Sequence, residues 1–228
     1  MTLRNGEQLL LTLVIPVVLL VALSHLPESV VGHSPAVDAV VPGILALSVI
    51  STAFTGQAIA TGFERRYGVL RLLGSTPLGR DGLLVAKTLG VLAVEVVQVV
   101  LVCGVGLALG WAPVGDPLSA AVLLVAGTFA FSALGLLLAG TLRAEATLAA
   151  ANGIYLLLLA LGGVVVPADR LPAVLSPLVS LLPSSALGQG LREVLLHGQG
   201  LPWGSVALLL VWGAAAAWAT VRTFRWSS

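Results

Sequence analysis

Apolar residues in this chain come in long runs, without the alternation of a half-buried strand. A bilayer core needs about 20 apolar residues in helical form. Six stretches approach or reach that length: 8–24, 40–62, 86–109, 117–141, 146–165 and 202–222. The first is short and contains Pro16, which predicts a kink that a neighbouring helix must satisfy. The runs are rich in Leu, Val, Ala and Gly and show no period of two, which argues against a membrane barrel. The pattern therefore predicts an all-α polytopic membrane protein, with six transmembrane helices in one domain over residues 1–228.

Composition agrees. Hydrophobic residues make up 58% of the chain and charged residues only 9%, with a mean hydropathy of +1.07, whereas soluble domains carry about 25% charged residues. Lipid must cover most of the outside. The net charge of +1 offers nothing to nucleic acid. The apolar run from Leu9 to Leu23 is long for a signal core, and His25-Leu26-Pro27-Glu28 lacks a small-x-small cleavage site, so the run is read as a retained first span. The single cysteine, Cys103, excludes an intrachain disulfide and a multi-cysteine metal site.

The basic residues orient the spans. With a cytosolic N-terminus, nine of the eleven fall on the cytoplasmic side: Arg4, Arg65, Arg66, Arg71, Arg80, Lys87, Arg143, Arg222 and Arg225. Arg170 and Arg192 fall outside. This positive-inside asymmetry supports an even number of spans and two cytosolic termini.

Two connections exceed a simple turn. In the cytoplasmic one, 63–85, Tyr67, Leu70 and Leu73/Gly74 share a face at helical spacing, while Arg65, Arg66 and Arg71 lie elsewhere on the wheel. This predicts a short amphipathic helix at the interface. It is either an anchor on anionic lipid or a docking element for a cytosolic partner. Gly74 and Pro77 end it, and Thr76 with Pro77 is suited to start the next helix. In the external connection, about 166–201, Pro167, Pro172, Pro177 and Pro183 break any long helix, yet the pieces between stay apolar. They are read either as re-entrant helices or as a loop lying on the membrane surface.

The segment Glu64-Arg65-Arg66, Gly68, Leu70, Leu73, Ser75, Pro77-Leu78, Arg80, then Lys87, resembles the connection between spans two and three of type-2 ABC exporter permeases. Val69 stands where that family more often has Thr or Ser. Gly163, Pro167, Leu171-Pro172, Leu182-Pro183 and Gly190-Leu191-Arg192 resemble, in order, the last external connection of the same family. The resemblance implies an interfacial coupling helix between spans two and three and re-entrant external helices between spans five and six. Its ATPase-coupling residues would be Glu64, Arg65, Arg66, Gly68, Leu70, Arg71, Ser75, Pro77 and Arg80, with a second cytoplasmic contact at Arg143 and Glu145. Pro167, Pro172, Pro183 and Arg192 would mark the external re-entrant segment. The implied partners are two cytosolic ABC ATPase subunits, which hold the ATP and Mg, and a second permease subunit in a bacterial plasma membrane. Family substrates include drugs, lipids and polysaccharides, and the scarcity of charge here favours a lipophilic one.

This chain has no nucleotide site of its own. Asp81 to Thr88 ends in Lys-Thr, but Asp81 and Ala86 replace the glycines a phosphate loop needs. His25, His33 and His197 have no ligand spacing, so no metal or catalytic site is expected. Glu95 is the one acid well inside a span, with Gln98 three residues on along the same face. It reads either as a site on the transport path or as a protonated or paired contact between helices. Ser48, Ser51, Thr52 and Thr55 form a polar stripe in span two, and Asn152 and Tyr155 share a face in span five. Small polar residues also permit close packing. The resemblance places spans two and five on the path, making Ser48, Thr52, Thr55, Glu95, Gln98, Asn152 and Tyr155 its candidate residues. Two other classes stay open: a proton-coupled secondary transporter using Glu95, and a membrane scaffold that transports nothing.

Overall fold

A computed structural model describes residues 6–27, 35–69, 79–161 and 176–224. Among these there is no strand. The helices are α1 (Gly6–Ser24), α2 (Ala36–Arg66), α3 (Gly79–Ala108), α4 (Pro117–Thr141), α5 (Ala144–Leu161), α6 (Ser176–Ser180), α7 (Pro183–Leu195) and α8 (Trp203–Thr223). Four of them, α2, α3 from Val85, α4 and α8, are long and apolar enough to cross a membrane. The apolar helical stretches Thr12–Ser24 and Ala144–Leu159 are shorter.

The expected spans coincide with helices, but two boundaries move. Helix α2 runs from Ala36 to Arg66, well beyond 40–62 at both ends. Helix α3 is already helical at Gly79, ahead of the expected 86. Glu64, Arg65 and Arg66, expected in a separate amphipathic helix, instead form the last turn of α2. Gly68 explains the stop. Its φ is +73°, and the Tyr67 and Gly68 amides donate back to Phe63 O (2.9 Å) and Arg65 O (3.1 Å). This is a helix C-terminus closed by a left-handed glycine. Leu70, Arg71, Ser75 and Pro77 lie outside the described residues, as do Pro167 and Pro172.

Helices α2 and α4 form the centre. Helix α8 runs along α4, α7 packs against α2, α4 and α8, and α5 covers the inner half of α2. Helices α1 and α3 close the other side of α2. The outer face of α3, with Val96, Val97, Val100, Leu101 and Leu107, is exposed and apolar, as lipid contact requires. Helix α4 has a well-defined start: Pro117 takes its first position and Asp116 caps it, accepting from Leu118 N (3.2 Å), Ser119 N (2.9 Å) and Ser119 Oγ (2.9 Å).

Helix α2 is not uniform. Residues Ile50–Gly56 are wound as a π-helix between two α-helical stretches. Such turns mostly sit at functional sites. The wide turn meets α4 at Gly135, where a Cβ would lie 2.8 Å from Phe54 O and 3.1 Å from Ala53 O. Gly135 therefore lets α4 rest directly on the π-turn carbonyls.

Two outcomes follow. Gly135→Ala forces the backbones apart, and the thermal midpoint in detergent should fall by the equivalent of about 1–3 kcal/mol. Gly153→Ala, at a position with no neighbour within 4 Å, is the control and should leave it unchanged. Second, bonds from the Ser119 hydroxyl and from the Ser119 and Leu118 amides hold the Asp116 carboxyl below its ordinary value of 3.8. A lowered native value stabilises the fold above the unfolded value and is lost as pH falls through the native one. The midpoint gap between wild type and Asp116→Ala should thus be full at pH 7 and close below about pH 3.8; a constant gap would deny the carboxylate this role.

Candidate functional site

Three groups of polar residues stand out. The first gathers the ends of three helices. From the last turn of α2, the Arg65 guanidinium donates through Nη2 to Leu142 O in the α4–α5 turn. Its neighbour Arg66 pairs through Nη1 with Glu145 Oε1 in the first turn of α5. Glu64 accepts from Lys87 Nζ of α3, and the same ammonium donates to Thr61 Oγ1 at 3.1 Å. Beneath them Thr147, fully buried, lies 3.4 Å from the position of a Cβ on Gly62, so α2 and α5 touch.

These contacts differ in weight. Arg65 is 5% exposed, and a charged donor facing a backbone carbonyl in that setting is held firmly. The side chains of Arg66 and Glu145 are 50% and 63% exposed. Such a pair contributes only about 0.2–1 kcal/mol, so it sets geometry more than stability. Arg65, Arg66 and Glu145, placed in two separate contacts by sequence, thus belong to one clamp. Arg143 lies in the connecting turn and accepts through its carbonyl from Thr147 Oγ1 at 3.0 Å. The backbone of Arg80 lies in the first turn of α3. Tyr67 is exposed beside the clamp, its ring stacked on Phe63 at 6.2 Å.

The second group lies among the helices. Gln98 of α3 is 1% exposed. Its Oε1 accepts from Thr52 Oγ1 of the π-turn at 3.0 Å, and its Nε2 donates to Thr12 O of α1 at 2.9 Å. One turn earlier on α3, Glu95 meets Thr128 of α4 through its Oε2. Thr128 Oγ1 also lies 2.8 Å from Leu124 O. The Oγ of Ser132, a turn further along α4, and that of Thr55 are buried without a partner.

The candidate path residues are therefore not all brought together. Thr52, Glu95 and Gln98 join one interface between α2, α3 and α4. Ser48 is buried but spends its hydroxyl on Ile44 O at 2.8 Å. Asn152 and Tyr155 separate: Asn152 is exposed and donates to Leu148 O at 2.9 Å, whereas Tyr155 packs against the core. Thr128 and Leu142 O were not anticipated. A buried Glu demands a donor nearby, and Thr128 is among the few polar residues of α4 that could supply one.

The third group is the segment before α8. Pro183 opens α7, and Arg192 lies in its last turn, half-buried. Helix α7 packs between α2, α4 and α8 rather than lying apart from them. Among the described residues no cluster of His, Cys, Asp or Glu could hold a metal ion.

No curated protein matches the chain. A family model described as ABC-2 family transporter protein matches residues 29–222, which takes in the three groups apart from Thr12 of α1. The chain belongs to the ABC-2 family of transporter proteins.

Proposed function

We propose that the chain is the permease subunit of an ABC exporter, moving a lipophilic compound outward on ATP hydrolysed with Mg by a separate ATPase subunit. Six spans, with α1 and α5 crossing beside the four long helices, and two cytosolic termini complete the topology. A second permease and two ATPases complete the transporter in a bacterial plasma membrane. Membership of the ABC-2 family supports the class.

The clamp is the observation that carries the mechanism. A rigid-body push on the segment after Arg66 reaches the last turn of α2. From there it passes to α5 through Arg66–Glu145 and Arg65–Leu142 O, and to α3 through Glu64–Lys87. Three helix ends then move as a unit. Their other halves carry Thr52, Gln98 and Glu95, so the same motion strains the buried polar contacts between α2, α3 and α4. The π-turn itself carries Thr52, one of these contacts, and is the part of α2 suited to change its winding.

Arg66 and Glu145 are the pair to alter, because burial makes a reversal at Arg65 a folding defect. Arg66→Glu should lower ATP-dependent transport by about five- to tenfold, with the thermal midpoint nearly unchanged. Adding Glu145→Arg should restore most of it. If the double variant stays as weak as the single one, the pair carries no motion. In proteoliposomes of the purified chain, transport should need both ATP and the ATPase partner. Uptake driven by a proton gradient without ATP, and lost in Glu95→Gln, would replace this reading with secondary transport.

A further inference from the structure

Helix α7 begins in an unusual way for a buried helix. Pro183 occupies its first position and has no amide hydrogen. The first backbone bond at this end is donated by Ala186 to Leu182 O at 3.1 Å, so the Ser184 and Ser185 amides precede the ladder. The capping position is Leu182, whose side chain has no acceptor to offer. Ser184 and Ser185 are both 0% exposed. Ser185 Oγ accepts from Gln189 Nε2 at 2.9 Å, but Ser184 Oγ is buried with no partner. The first turn therefore holds two amide donors and an unpartnered hydroxyl, all shielded from solvent. Helix ends left so are completed by side chains, water or ligands.

The depth of this turn follows from its neighbours. The α7 C-terminus lies at the Pro117 end of α4, where Leu195 O accepts from Val114 N at 3.3 Å. Going back along α7, Gly190 packs against Leu123 and Leu187 against Gly127. Gly127 is ten residues into α4, about 15 Å at 1.5 Å per residue. Independently, Trp212 Nε1 donates to Leu181 O at 2.9 Å, and Trp212 is nine residues into α8, about 14 Å. Both put the N-terminus of α7 near the middle of a hydrocarbon core about 30 Å thick.

We infer that the N-terminus of α7 binds an oxyanion, a phosphate or carboxylate group, borne by an amphiphile. The positive end of the helix dipole and two amide hydrogens suit an anion, and the Ser184 hydroxyl adds a third donor. The neighbouring Leu181 and Leu182, exposed and half-buried, suit an alkyl chain. This deepens the export reading by naming a substrate class, and it rests on that reading only for the claim that the bound molecule is moved.

The test measures equilibrium binding of radiolabelled dodecyl phosphate to the full chain in phosphatidylcholine nanodiscs, against empty discs. It needs neither ATP nor the ATPase, so it can fail while ATP-dependent export stands, and the reverse. Saturable binding is expected, with dodecanol and dodecyltrimethylammonium failing to compete. Ser184→Ala should weaken it by about tenfold, the worth of one bond to a charged group. Ser184→Asp should abolish it while the thermal midpoint holds or rises, because the new carboxylate occupies the helix end itself. Competition by added phosphatidylglycerol would assign the site to a lipid headgroup, and its absence to a transported solute; either supports the inference. Equal competition by dodecanol, or unchanged binding in both Ser184 variants, overturns it.

Discussion

The amide of Gln98 ties α1, α2 and α3 together at one depth, and the packing around it depends on its being satisfied on both sides. In lipid a polar side chain that loses its partner finds no water to replace it. Gln98 accepts from Thr52 and donates to a backbone carbonyl, Thr12 O. The carbonyl end constrains the register of α1 against α3, since only one residue of α1 presents its oxygen there. The hydroxyl end constrains the π-turn, because Thr52 must point at α3 while the neighbouring carbonyls of Ala53 and Phe54 rest on Gly135 of α4. One residue of α3 and one glycine of α4 thus define where α2 departs from α-helical winding.

That departure is what the sequence least disclosed. Apolar run length and the clustering of Arg and Lys are properties of composition; they place the expected spans on helices, while α2 and α3 extend beyond them by four to seven residues. The stripe of Ser48, Ser51, Thr52 and Thr55 assumes α-helical spacing throughout, but Ser48 lies in the α-helical stretch and bonds Ile44 O, whereas Thr52 lies in the π-turn and meets Gln98. The end of α2 was misplaced for a related reason. Glu64, Arg65 and Arg66 are polar, and polarity at the end of an apolar run looks like an exit from the membrane. Here it is a last helical turn whose charges are met by Lys87, Leu142 O and Glu145. Gly68 was the readable signal, since a glycine after a basic last turn is a usual helix stop.

The clamp and the buried contacts divide the candidate residues by the kind of work each can do. Exposed ion pairs such as Arg66–Glu145 are cheap to break and re-form. Buried contacts such as Thr52–Gln98 are costly to leave unmade, which suits elements with two discrete arrangements and little in between. Thr55 and Ser132 carry buried hydroxyls with no partner in this arrangement. Thr55 lies in the π-turn and Ser132 on the facing helix α4, so a change in the winding of α2 has free hydroxyls on both helices to engage.

The two ends of the molecule then have opposite electrostatic logic. At the clamp, the side chains of Arg65, Arg66 and Lys87 outnumber Glu64 and Glu145, so positive charge gathers there. At the inner end of α7, among the described residues, positive character comes from the backbone dipoles of the helix. A helix shorter than the bilayer, begun by Pro183 and carrying half-buried Arg192 in its last turn, presents amide hydrogens at its buried N-terminus at no cost in formal charge. Its Leu and Gly faces lock it against α4 and α8, so the donors are fixed in place before any ligand arrives. Fixed donors lose no freedom on binding, and this favours recognition of an oxyanion over a site assembled from flexible side chains.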